Sequence, residues 1–261
     1  MGQEKTTREL QFQNDILDQM QSNGWLLGQS NKYNRELALY TEDAEAFIQN
    51  TQPQQWEKLA QHFPNTDRNP TATRDAMFKA LDRDLKSKGT LWVLRNQVKD
   101  RGAKFRFCAF KPDHDLNPDA TAQYQKNILR VVPELIYSPN GYDGRIDLTL
   151  FVNGIPVATC ELKSEFKQSI DNAKVQYMKD RQPKDPATKK AEPLLTFKRG
   201  ALVHFAVSQY NVAMTTCLMG EKTFFLPFDQ GTWDGGKGND IPEDDSYATS
   251  YLWNEIFQKD N

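Results

Sequence analysis

Long hydrophobic runs are missing from this sequence: no apolar stretch approaches the length of a membrane span, and the amino-terminal MGQEKTTREL carries no secretory core. A cytoplasmic protein without membrane partners is expected. Cysteine is scarce, and Cys108, Cys160 and Cys217 each sit in an apolar or β-type run with no CxxC spacing. Buried, reduced thiols follow, and zinc is not expected. A basic excess is absent as well. Lys and Arg number 33 against 35 Asp and Glu, a net charge of -2, which leaves little footprint for capturing nucleic acid unaided. The glycine-rich GTWDGGKGND at 231–240 lacks the G-x-x-x-x-G-K-[ST] pattern, because Gly238 follows Lys237; it is no Walker A loop. Aromatic residues are plentiful, with 15 Phe, 9 Tyr and 5 Trp in 261 residues. That is ample material for a core in one large domain or two small ones, although the mean hydropathy of -0.75 is polar.

The periodicities alternate between helix and strand, an α/β pattern. A helix is expected from about Thr7 to Ser22, with Leu10, Ile16, Leu17 and Met20 as its apolar stripe and Gly24 as its stop. Further helices are expected at Glu42–Ile48, around Trp56–Phe63, and from Thr71 to Lys88 ahead of Gly89. Leu91–Val98 and Lys104–Phe110 read as β-like runs split by Asp100-Arg101-Gly102, and 111–120 as a loop in which His114 is surface. Ile128–Tyr137 reads as a strand, with Glu134 as a possible extra acid. Ser169 can cap a helix through about Arg181, with Ile170, Ala173 and Tyr177 inward. Leu202–Val207, Val212–Met219 and Lys222–Leu226 extend the sheet, with His204 as a hydrogen-bonded core residue. The basic stretch KDRQPKDPATKK at 179–190 is offset by its own aspartates and reads as a solvated loop or a nucleic-acid contact.

The chain is organised around RIDLTLFVNGIPVATCELK at 145–163. Ile146, Leu148, Leu150 and Val152 alternate with Asp147, Thr149 and Phe151, Asn153-Gly154 tolerates positive φ, and Val157–Leu162 returns as a second strand. Glu161 and Lys163, two residues apart, are expected to share a face. A plain two-residue loop would pair Asp147 with Cys160 and turn Glu161 away. An irregularity is therefore expected, either a three-residue connection through Ile155 or a bulge near Pro156, which cannot donate to the ladder. With Asp147 and Glu161 together, two hard carboxylate ligands suit Mg²⁺, and Lys163 can position or help deprotonate an attacking water. The reaction class is phosphodiester hydrolysis.

Asp147 followed by Glu161-Leu162-Lys163 resembles the PD-(D/E)XK nuclease motif, with Arg145-Ile146 where the proline of its name would stand. The wider run DLTLFVNGIPVATCELK resembles the amino-terminal nuclease domain of the R subunit of type I restriction-modification enzymes. So do TQPQQW at 51–56, DNAKVQYMKDRQP at 171–183, LVHFAV at 202–207, MTTCLMGEKTFFLPFDQG at 214–231 and TSYLWNEIF at 249–257. The resemblance implies a restriction-endonuclease-like core, a mixed central sheet flanked by helices, in a type I site-specific deoxyribonuclease. It implies Asp147 and Glu161 as metal ligands, Lys163 as the catalytic lysine, and Glu9 as an outer ligand on the first helix, with Gln13 where another acid is expected. Glu9 also suits an ordinary surface glutamate at a helix amino end. Members often carry Gln-x-x-x-Tyr after the catalytic motif; here Tyr177 follows Gln176 directly and Asp180 stands four residues on. Gln176, Tyr177 and Arg181 are the candidates for touching DNA or orienting the site.

By the same resemblance, residues 1–261 form one endonuclease domain: a helical part to about 70, a nuclease core to about 230, and a linker towards an ATP-driven translocase. ATP would be required through that translocase, and the partners would be double-stranded DNA and the methyltransferase and specificity subunits. Two alternatives stand beside this reading. One is a PD-(D/E)XK nuclease of another defence or repair system; the other is a catalytically degenerate docking domain.

Overall fold

Helix α1 (Thr7–Ser22) buries Glu9, Phe12, Gln13, Ile16, Leu17 and Met20, and the spacing 9, 13, 16, 20 is one face of a 3.6-residue period. Leu10, expected on that stripe, is 49% exposed, and Phe12 takes its place. The chain turns at Gly24, whose φ is +90°, into the short strand β1 (Leu26–Leu27). Helices α2 (Thr41–Thr51) and α3 (Pro53–Ala60) follow, the second opening on a proline whose missing N–H costs nothing there. Helix α4 (Ala72–Lys88) stops at Gly89, φ +92°. The computed structural model describes residues 7–114, 116–164, 170–244 and 246–260.

Leu91–Val98 is not a strand. Residues Thr90–Arg95 form helix α5, in which Val93 and Leu94 are buried and Leu91 is exposed. An unbroken apolar run carries no period to separate helix from strand. Here the helical start is fixed by tertiary bonds: Thr90 N–H donates to the Lys198 carbonyl at 2.7 Å and its hydroxyl to the Arg199 carbonyl at 2.7 Å. Only β2 (Val98–Asp100) and β3 (Ala103–Phe105) pair across the expected turn, as a separate two-stranded sheet. Helix α6 (Pro118–Gln125) arises at the end of the segment read as a loop, because Asn117 caps it by accepting the Ala120 N–H at 3.1 Å.

The remaining α-helix and strands are β4 (Leu129–Ile136), β5 (Arg145–Val152), β6 (Ile155–Lys163), α7 (Ile170–Asp180), β7 (Val203–Ser208), β8 (Val212–Thr215) and β9 (Leu226–Pro227). Ser169, the expected cap of α7, lies outside the described residues. The main sheet has seven strands in the order β1-β4-β5-β6-β7-β8-β9. β1 and β4 are parallel, as are β6 and β7, and the other pairs are antiparallel. The mixed sheet is thus the expected one, and α7 is the crossover that a parallel β6–β7 pair requires. β8 ends early where the Thr215 hydroxyl takes the Cys217 N–H. β9 starts late because Met219–Thr223 is a tight turn closed on the Thr223 hydroxyl.

Core clusters lie on the two faces of the sheet. α1 packs with Leu148, Leu150, Cys160, Leu162, Phe205 and Val207, whereas Tyr177 of α7 packs with Val132, Leu135, Ile146 and Phe151. α2 to α5 and the small hairpin enclose a further cluster. Within the expected linker, Tyr251, Leu252, Trp253 and Phe257 join the α1 cluster, and Trp25 Nε1 donates to the Phe257 carbonyl at 2.8 Å. Among the described residues no helix is long and apolar enough to cross a membrane.

Candidate active site

The β5–β6 hairpin turns through Asn153 (φ +48°) and Gly154 (φ +75°). The tight turn pairs Val152 with Ile155 and Phe151 with Pro156; the register then slips, and Leu150 faces Ala158. Val157 is the extra residue, so the expected bulge sits beside Pro156 and the two-residue turn is kept. Beyond it Leu148 faces Cys160, which carries Asp147 opposite Glu161. The Asp147 Oδ2 accepts the Leu162 N–H at 2.6 Å. One inserted residue thus decides whether the two acids meet.

Both are buried, Asp147 at 4% exposure and Glu161 at 0%. Glu161 Oε1 is held by Arg181 Nε at 2.6 Å, while Oε2 is buried with no hydrogen-bond partner among the described residues. Burial first, and then the charge of Asp147, push the Glu161 carboxyl up to about 8, against the opposing pull of Arg181 and Lys163. A bare buried carboxylate oxygen beside a second carboxylate is a place where a cation removes the cost of both. Among the described residues no group of three or more His, Cys, Asp or Glu is arranged to hold a metal. Mg²⁺ asks for less, one or two carboxylates with water and phosphate oxygens completing its shell, and Asp147 with Glu161 fits that demand.

Lys163 and Glu161, expected to share a face, instead reach to different sides, Glu161 to Arg181 at the end of α7 and Lys163 to α1. The Lys163 Nζ lies 2.9 Å from Glu9 Oε1, both side chains nearly buried. This overturns the surface reading of Glu9, which is 6% exposed and belongs to the inner stripe of α1. Gln13, one turn on, is buried beside it. Glu134 falls opposite Asp147, between the pairs Pro133–Leu148 and Leu135–Ile146. Its φ of +49° is a conformation that a non-glycine strand residue rarely takes and that gathers at functional sites.

On α7, Tyr177 is fully buried and its hydroxyl meets Thr159 Oγ1 at 2.7 Å; Thr159 Oγ1 in turn lies 2.7 Å from His204 Nδ1. His204 is the expected core histidine, kept neutral by burial that pulls it down to about 3. Gln176 is half-buried, and its side-chain amide makes no hydrogen bond among the described residues. Arg181 turns inward to Glu161, and the lysines at 184, 189 and 190 are exposed, as is His114. The partnerships of Glu9 with Lys163 and of Arg181 with Glu161 escaped the sequence reading. A helical spacing marked both: 9, 13, 16, 20 on α1, and Tyr177 of α7 with Arg181 just past the helix end.

Comparison with curated proteins finds none that matches the chain. A family model described as the type I restriction enzyme R protein N terminus matches residues 6–223, a span that holds Glu9, both acids of the hairpin, Lys163 and Arg181. The chain therefore belongs to the family of type I restriction enzyme R protein amino-terminal regions.

Proposed function

We propose that this domain performs Mg²⁺-dependent endonucleolytic cleavage of double-stranded DNA as the nuclease part of a type I restriction enzyme R subunit. The observation that carries the reading is the bulged hairpin, which sets Asp147 against Glu161, whose Oε2 is buried without a hydrogen-bond partner among the described residues. Asp147 and Glu161 would hold the ion, which would neutralise charge on the scissile phosphate and acidify a nearby water. Lys163 keeps donors free beyond the one spent on Glu9, because an ammonium has three. Those donors orient the attacking water or a phosphate oxygen. Glu9 fixes the ammonium from α1, a role of second contact rather than of metal ligand. Capture of duplex DNA falls to the methyltransferase and specificity subunits and to the ATP-driven part of an R subunit, in keeping with the near-neutral net charge of -2.

The test is cleavage of a plasmid carrying the cognate site by the reassembled complex, with ATP hydrolysis followed in parallel. Lys163→Ala should cut at least about 100-fold more slowly, the usual worth of a positioned proton-handling group, and should hydrolyse ATP at the wild-type rate. Normal cutting by Lys163→Ala would leave the domain as a docking module. Cutting by the wild-type domain without methyltransferase and specificity subunits would favour a nuclease of another defence or repair system.

A further inference from the structure

The guanidinium of Arg181 is the most constrained cation at the site. Its side chain is 6% exposed, and Nε donates to Glu161 Oε1 at 2.6 Å. Nη2 donates to the Arg145 carbonyl oxygen, and Nη1 lies 3.4 Å from the Tyr142 hydroxyl. The planar fork is therefore fixed on the backbone at the start of β5, the strand that carries Asp147, while its inner nitrogen holds the acid of β6. One turn earlier on α7, Tyr177 is tied to Thr159. Arg181 directly follows Asp180, the last residue of α7, so Tyr177 on the helix and Arg181 just past its end grip Thr159 and Glu161 of β6 together. The chain from Tyr177 through Thr159 to His204 ties α7 to β6 and β7 beside Arg181.

We propose that Arg181 is a positioning residue: by taking Glu161 Oε1 alone, it presents Oε2 to a divalent cation shared with Asp147. This rests on the metal-dependent reading above. A guanidinium that competed with the metal would take both carboxylate oxygens in the bidentate manner that its fork allows, yet Oε2 has no hydrogen-bond partner among the described residues. With 6% exposure, the side chain faces the acid pair rather than the surface where phosphates lie. Lysine cannot substitute fully, because its ammonium lacks the rigid planar fork that sets Nε on Glu161 and Nη2 on the Arg145 carbonyl in fixed geometry.

The experiment is calorimetric titration of the 261-residue chain with Ca²⁺ alone, a probe that binds without turnover, for wild type, Asp147→Asn, Arg181→Gln and Arg181→Lys. Arg181→Gln should bind Ca²⁺ about 10- to 100-fold more weakly, the usual loss when a ligand's hydrogen-bonded support is removed, and Arg181→Lys should recover part of that loss. Wild-type affinity, or tighter binding, in folded Arg181→Gln overturns the positioning role. Should the variants fail to fold, the wild-type protein still decides: the Arg181 Nε–H resonance should stay protected from exchange and shift when Ca²⁺ is added. Release of that proton to solvent on Ca²⁺ binding would mean that the metal displaces Arg181, and would overturn the proposal. The metal reading itself fails in a different way, if wild type and Asp147→Asn bind Ca²⁺ equally or not at all.

Discussion

Asp147→Asn should abolish metal-dependent DNA cleavage and, without metal, leave the domain more stable than wild type. Asparagine keeps the shape and the oxygen that accepts the Leu162 N–H at 2.6 Å, so the hairpin register survives. It loses the charge. That charge helps push Glu161 up to about 8. Between the ordinary glutamate range and that value, the folded protein retains a proton that the unfolded chain releases, so the metal-free domain loses stability as pH rises through the window. With Asp147 neutral, Glu161 ionises at lower pH and the loss shrinks. The gain should be on the order of 1 kcal/mol near the top of the window and should vanish in acid, where Glu161 is protonated in the folded and the unfolded state. Thermal melts in chelator across this range measure it. In the reassembled complex the same variant should cut about 10³-fold more slowly or worse, as expected when several kcal/mol of metal-borne stabilisation is lost. A variant that is destabilised without metal and still cuts would show that Asp147 is a structural acid.

Gly154→Ala should be the most damaging single methyl group in the site region. At φ +75° any side chain is strained, and a Cβ would run into the Tyr40 carbonyl oxygen and come within 2.9 Å of the Ala44 nitrogen. Neither atom can retreat easily. Both belong to the start of α2, which is tied to the turn through the Tyr40 N–H and the Gly154 carbonyl at 2.9 Å. The left-handed conformation costs about 1–2 kcal/mol for a residue with a Cβ, and overpacking adds about 1–3 kcal/mol. A loss of about 2–5 kcal/mol in chemical denaturation is expected, a large part of the stability of an ordinary domain. The fall in cleavage should then track the unfolded fraction. A change below about 0.5 kcal/mol would mean that the turn and α2 are not rigidly joined.

The hairpin was legible because three local rules agreed. Alternation marked both strands, Asn153-Gly154 marked the turn, and the need for Asp147 to meet Glu161 demanded the bulge that Val157 supplies. The first helix was legible in extent but not in phase. Reading its stripe through Leu10 placed Glu9 outside, whereas the buried face through Phe12 turns Glu9 and Gln13 inward, Glu9 to Lys163. Leu91–Val98 could not be read correctly, since what makes it helical is the anchoring of Thr90 to the distant carbonyls of Lys198 and Arg199. Arg181 was visible as a residue of interest but not as the partner of Glu161, because that contact depends on how α7 crosses β6. The packing of Trp253 and Phe257 against α1 is long-range for the same reason and leaves no local period.

If Asp147 and Glu161 share a divalent cation, that cation is directly observable. The most direct measurement is anomalous diffraction from crystals of this chain soaked in Mn²⁺, a hard cation that suits the same carboxylate oxygens as Mg²⁺. The account predicts a peak in coordinating contact with Asp147 and with Glu161 Oε2, while Arg181 remains on Oε1. A peak seated elsewhere, or none at this pair at a concentration that supports cleavage by the complex, would contradict it.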